Sequence, residues 1–140
     1  MDEKIVRAAF EFAIKHSKPE FEKFFLSQFL GLQFEYQDDA CTIYFEVKDF
    51  MFNPQGTLHG GVIATVMDIS MGHLLKQVAG PGTTLEMKTQ YVKAVTAGKL
   101  CCKGEFTHKG RGISYLKSTM TDADGNVIAF ATATLKLLKA

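Results

Sequence analysis

The chain has 140 residues, 46% of them hydrophobic, and a formal net charge of +1. That length makes one domain able to bury a sizeable core. The near-zero charge gives no drive toward nucleic acid or a membrane surface, and the N-terminus carries no leader of signal-peptide type.

The first residues, about 3–15, read as a helix, with Ile5, Val6, Ala9, Phe10, Ala13 and Ile14 at helical spacing. Ser17 and Pro19 punctuate a second helical stretch, roughly residues 20–29. It carries Phe21, Phe24, Phe25 and Phe29, which read as core cover in preference to a subunit contact. A strand is expected near 32–37, a turn at Asp38-Asp39, and a second strand over 41–47 with Ile43, Phe45 and Val47 on one face. A loop over 48–58 contains Phe50, Met51 and Phe52. A long apolar helix follows over 61–79, stopped by Gly80-Pro81-Gly82. Four strand-like runs come next, near 83–92, 98–107, 113–121 and 127–137. Gly110-Arg111-Gly112 and Asp124-Gly125 supply hairpin turns. Ala129, Ala131, Ala133, Leu135 and Leu137 give the last run a small-to-medium face suited to close packing on the helix. The order predicts one α+β domain, 1–140, in which antiparallel strands wrap a buried helix.

Cys41, Cys101 and Cys102 are odd in number and two are adjacent, which suits neither a disulfide framework nor a zinc site. They read as buried or semi-buried strand residues in a reducing cytoplasm. No ligand cluster of suitable spacing implies a metal, and no cofactor is expected. Gly110-x-Gly112 is a turn, not a phosphate loop. Asp122-x-Asp124-Gly125-Asn126 resembles a calcium loop but lacks the later bidentate acid, so it reads as a hairpin.

The chemistry concentrates in Asn53-Pro-Gln-Gly56-Thr-Leu-His59-Gly60-Gly61 and the helix that follows. Apolar residues fall on nearly all sides of that helix, which marks it as buried. Asp68 therefore stands mid-helix in an expected core, where an unpaired carboxylate is costly. It is a candidate base or nucleophile. Gly61, Thr65, Asp68 and Gly72 share one face, small apart from Asp68. At the helix start, N–H groups lack intrahelical partners and the macrodipole adds partial positive charge. Gly60 and Gly61 leave those groups accessible to a carbonyl becoming an oxyanion. Yet Gly60 and Asp68 are roughly 12 Å apart on one straight helix at 1.5 Å per residue. A base must come within about 3 Å of its proton, or reach it through one water. Two antiparallel copies of the helix about a two-fold axis could bring Gly60 of one subunit to Asp68 of the other, so a C2 homodimer is the expected unit.

The pattern Asn-x-x-Gly-x-x-His-Gly-Gly-x6-Asp resembles that of hotdog-fold acyl-CoA thioesterases, nearest to the phenylacetate-pathway type and the 4-hydroxybenzoyl-CoA thioesterase-like enzymes. The strands that follow extend the resemblance over most of the chain. It implies that Asp68 is the catalytic carboxylate and that the Gly60 N–H polarises the thioester carbonyl. It implies that Asn53 positions the water or substrate, and that His59 contacts the thioester region or holds the loop. A Ser or Thr after the helix would hold the water; of Thr83 and Thr84, Thr84 is the better match. Gly61 and Thr83 are expected beside the substrate. Phe50, Met51 and Phe52 are expected to line an acyl pocket, leaning the substrate toward an aryl-CoA (hydroxybenzoyl, gentisyl or phenylacetyl). The basic cluster His108, Lys109 and Arg111 reads either as ordinary solvated charge at a strand end or as a contact for the phosphates of coenzyme A, with Lys109 and Arg111 as the phosphate binders. His73, about 140° round the helix from Asp68, is expected to be structural. No Ser lies in a nucleophile elbow, so His59 and Asp68 are not parts of a serine triad. The implied assembly is a homodimer joining into a homotetramer, in the cytoplasm. Competing readings are a medium- or long-chain fatty acyl-CoA thioesterase, an acyl-CoA-binding module without turnover, and a hotdog hydratase, for which the paired His and acid are not found.

Overall fold

A computed structural model describes residues 1–138. Helix α1 spans Glu3–His16. Asp2 caps it, its carboxylate accepting the Lys4 N–H at 2.9 Å, while Lys15 and His16 sit at the negative end of the dipole. Only Ala13 of this helix is buried, so α1 lies on the surface.

Helix α2 is shorter than the aromatic spacing predicts, spanning Phe25–Leu30. The reason is Glu22, whose φ of +66° is left-handed. A non-glycine residue there costs of order 1 kcal/mol or more and ends a helical path. Local bonds hold it: its carbonyl accepts from Ser27 Oγ and from Gln28 Nε2, each at 3.0 Å, and its N–H donates to His73 Nε2 at 3.2 Å. Its carboxylate accepts the Tyr36 hydroxyl. Phe24 and Phe29 pack against the core, whereas Phe21 and Phe25 remain partly exposed.

Six strands follow the predicted runs closely: β1 Gln33–Gln37, β2 Ala40–Glu46, β3 Gly82–Tyr91, β4 Lys99–His108, β5 Ile113–Thr121 and β6 Val127–Leu137. They form one antiparallel sheet in the order β1-β2-β4-β5-β6-β3. The long helix α3, Gly60–Val78, lies across the sheet and touches β2 through β6. This is the hotdog arrangement. Between sheet and helix sit Ile63, Val66, Met67, Met71 and Leu74, facing Ile43, Leu100, Leu116, Met120 and the alanines of β6, all buried. The small side chains of β6 let the helix approach. At β4 it comes closer still: a Cβ on Gly104 would lie 2.7 Å from the Ser70 carbonyl oxygen. Two buried serines complete the layer, Ser70 Oγ donating to the Met67 carbonyl and pairing with Ser118 Oγ at 2.8 Å. Those bonds satisfy hydroxyls that would otherwise destabilise a dry interface.

The cysteines lie in β2 and β4. Cys41 and Cys102 are buried and Cys101 is half-buried. Burial pushes the Cys41 thiol up to about 12 and the Cys102 thiol up to about 11, so both remain unreactive thiols. In the β5–β6 hairpin the Asp122 carboxylate accepts the N–H groups of Asp124 and Asn126 and the Asn126 side-chain amide. Those bonds hold its pKa down to about 2 and make the segment a turn. β3 is an edge strand. It carries a register shift between Thr84 and Glu86, and Leu85 there is 54% exposed. Among the described residues no helix is long and apolar enough to cross a membrane.

Candidate functional site

The sheet covers only one side of α3. Ile63, Val66, Met67, Ser70, Met71 and Leu74 face it and are buried. On the other side Gly61 is exposed, and Thr65, Asp68 and Gly72 are half-buried. Asp68 is therefore not the core carboxylate that apolar residues on all sides of the helix led one to expect. It stands on a small-residue face open along the single chain. Nor is it unpaired: Thr84 Oγ1 donates to its Oδ1 at 2.6 Å. Thr84 is thus the one of the two adjacent threonines that reaches the carboxylate, and it sits just before the β3 irregularity, where a bulge re-aims side chains. The other carboxylate oxygen has no hydrogen-bond partner among the described residues.

Asp68 and Thr84 lie between two shallow cavities. One, about 250 Å³, adds Ala64, Thr65 and Met87. The other, about 350 Å³, extends toward the later half of the helix and includes Thr83, Gly72, His73, Leu135 and Phe21. Phe50, Met51 and Phe52 line neither. Met51 is buried in the core and Phe50 packs its ring 4.8 Å from that of Phe29. Within the chain, that loop's aromatic character serves packing against α2.

The start of α3 is built by the loop before it. Asn53 Oδ1 accepts the N–H groups of Gln55 and Thr57 at 3.0 and 3.1 Å, and its Nδ2 donates to Thr57 Oγ1 at 2.8 Å. The side chain expected to hold water or substrate therefore holds its own turn, in the manner of an Asx-turn. The turn delivers His59 as the N-cap, its Nδ1 accepting the Gly61 N–H at 2.8 Å. The Gly61 amide is thereby engaged inside the chain. The Gly60 N–H, at the first helical position, has no hydrogen-bond partner among the described residues. Of the two glycine amides, that of Gly61 is engaged and that of Gly60 is unpartnered among the described residues.

Tyr91, at the far end of β3, carried no sequence signal beyond its place at a strand end. Its hydroxyl donates to the Gly60 carbonyl at 2.8 Å, and a Cβ on Gly60 would lie 3.1 Å from its ring. β3 thus touches α3 at both candidate points: its start meets Asp68 and its end meets Gly60.

Lys109 and Arg111 are exposed in the β4–β5 turn, apart from both Asp68 cavities. The Lys109 ammonium lies 5.6 Å from the centre of the Phe106 ring. Ile113, Lys136 and Thr83 are neighbours on β5, β6 and β3. The basic turn thus shares the sheet end where β3 begins; Ile113, the strand residue that follows it, is about 10 Å from Thr83 at one strand spacing per step.

His73 is buried, with its ring stacked 4.9 Å from that of Phe34 and edge-on to Phe21 at 4.8 Å. Burial lowers its pKa below the usual 6.5, outweighing the opposing pull of the Glu22 carboxylate. Its role in packing the Glu22 turn matches expectation. Because the folded pKa is depressed, the unfolded chain binds more protons between the two values. His73 therefore contributes stability that is whole above about pH 6.5 and lost as pH falls toward the folded value. Thermal unfolding between pH 7 and 5 is expected to show a falling Tm. A His73→Phe variant, less stable at neutral pH because the Glu22 N–H loses its acceptor, is expected to show a flatter decline. Parallel declines in the two proteins would remove His73 as the source.

The sequence profile of the thioesterase superfamily matches residues 55–129, from the loop before α3 to the start of β6. Among solved structures, a conserved protein of Pseudomonas aeruginosa is 26% identical with a TM-score of 0.76, over 81% of this chain and 93% of that one. AziG of S. sahachiroi is likewise 26% identical with a TM-score of 0.76, over 79% and 94%. A hypothetical thioesterase of Streptococcus pneumoniae, solved with coenzyme A, is 27% identical with a TM-score of 0.72, over 75% and 86%. No curated protein matches the chain.

Proposed function

The chain belongs to the thioesterase superfamily, and from that premise we propose that it hydrolyses an acyl-CoA thioester to the free acid and coenzyme A. The observation that carries the reading is the Asp68–Thr84 pair, set between two cavities on the uncovered face of α3. Pure binding needs no carboxylate there.

The catalytic unit is a homodimer. Gly60 and Asp68 lie roughly 12 Å apart along one helix, so a partner's α3, antiparallel to the first, supplies the amide. The small face of α3 permits that approach, and the open β3 edge beside it, with Leu85 exposed, offers main-chain groups for a second copy's strand. In this scheme the substrate carbonyl accepts from the Gly60 N–H of one subunit. Asp68 of the other removes a proton from water as the water oxygen attacks the carbonyl carbon. Thr84 fixes the carboxylate and leaves its second oxygen for the water. The oxyanion forms against the Gly60 amide and the dipole of α3. Collapse then breaks the C–S bond, and the departing thiolate takes up a proton. His59 holds the helix start, Asn53 holds the loop, and Gly61 and Thr83 contribute backbone beside the substrate. Lys109 and Arg111 pair with coenzyme A phosphates at the sheet end where β3 begins. The alternative chemical route, attack by Asp68 itself to give a mixed anhydride, places oxygen-18 from labelled water in the Asp68 carboxylate in a single turnover.

Met51 is buried in the core while Phe50 and Phe52 stay half-buried in the loop before α3, so an aryl thioester is the favoured substrate and an alkyl thioester the alternative. The test is a coenzyme A release screen over both kinds. Release from at least one series is expected. Tight binding with no release from any member would make the protein an acyl-CoA-binding module instead.

A further inference from the structure

The larger Asp68 cavity has a mixed wall: Asp68, Thr83 and Thr84 line it together with Leu135, the cross-strand partner of Thr84, and with the rings of His73 and Phe21. Phe21 is foreign to the wall it completes. It comes from the segment between α1 and α2, far outside the residues that the family profile matches. It is also firmly placed. The next residue, Glu22, is held in a left-handed conformation by bonds to His73, Ser27, Gln28 and Tyr36. The Phe21 ring stands edge-on to His73 with the Lys76 ammonium 5.3 Å from its centre. A partly exposed aromatic ring, next in the chain to a residue so held and packed on His73 in the wall of the cavity that holds the Asp68 carboxylate, has the geometry of a stop.

Resting on the thioesterase reading, we infer that Phe21 is a specificity-determining residue, the end wall that sets how long an acyl chain fits beside Asp68. An apolar tail entering from the Asp68 end meets Leu135 and His73 and halts at the Phe21 ring.

The experiment compares the wild type with Phe21→Ala and Phe21→Trp over a straight-chain acyl-CoA series. Two quantities are read, kcat/KM for the thioesters and Kd for the matching non-hydrolysable thioethers. Phe21→Ala is expected to move both optima toward longer chains by roughly two to four methylenes, the space vacated by the ring. The gain is about fourfold per methylene newly taken in, from the free energy of burying one. Phe21→Trp is expected to move them the other way. Because Phe21 is 36% exposed, the fold tolerates both changes, which matching Tm values would check. If the wild type turns substrates over and all three profiles superimpose, the wall assignment is overturned and hydrolysis stands. If nothing is hydrolysed but the thioether profiles shift oppositely, hydrolysis falls and the wall stands. If no thioether binds, both fall.

Discussion

Asp68→Asn is expected to lower kcat by about 10²–10⁴, the usual contribution of a positioned general base. KM and the affinity for a thioether analogue should stay within a few-fold. Asparagine is nearly isosteric, and its oxygen can still accept the Thr84 hydroxyl that now donates at 2.6 Å. What it lacks is the ability to take a proton or to attack. The half-buried setting on a face of small residues leaves room for the amide without repacking, so a folding defect would not confound the result. Loss of kcat with binding retained would locate the interaction in the transition state. Wild-type turnover by this variant would refute the assignment of the carboxylate, whichever chemical route is correct.

The second large effect concerns which subunit supplies which group. Gly60→Pro removes the free N–H and is expected to lower kcat by about 10²–10³, as loss of one oxyanion donor does. The backbone accommodates it. Gly60 is the first helical position, where proline is favoured, and His59 has φ −64° and ψ 133°, which a following proline accepts. The ring would press on Tyr91, a side chain 54% exposed and able to move aside. Each variant alone is then nearly inactive. If the site joins Gly60 of one subunit to Asp68 of the other, mixing the Asp68→Asn and Gly60→Pro proteins through reversible dissociation creates heterodimers. One of their two sites carries both lesions and the other carries neither. Random exchange of an isologous dimer restores about a quarter of the wild-type activity. A site made within one chain recovers nothing on mixing, and that outcome would dismantle the two-subunit account.

The motif residues differ in how far they could be read from their order. That a helix opens at Gly60-Gly61 and that Thr83-Thr84 begins the strand after it were readable, because helix periodicity and the stop at Gly80-Pro81-Gly82 set where the helix begins and the strand follows. Asn53 was legible as important but not in kind, since an Asx-turn and a water ligand use the same side-chain atoms. Phe50, Met51 and Phe52 could not be separated into pocket and core by type alone. Met51 is buried at 3% while its neighbours are half-buried at the margin of the core. Tyr91 was invisible, because its partner, the Gly60 carbonyl, lies 31 positions away. The truncation of α2 was equally hidden, since the bonds that hold Glu22 left-handed come from α2, α3 and β1 together.

Local order alone determined the sequence of elements, the turn positions, the long apolar helix and the acid within it. Those features depend on periods of 3.6 and 2 residues and on glycine and proline, all written within a few neighbours. Only the tertiary structure decided that Asp68 faces outward beside Thr84 and that Phe21 reaches the cavity. The placements of Asp68 and Phe21 depend on which side of α3 the sheet covers and on contacts between distant segments, whereas Gly61 is engaged through the cap geometry of His59, two residues before it.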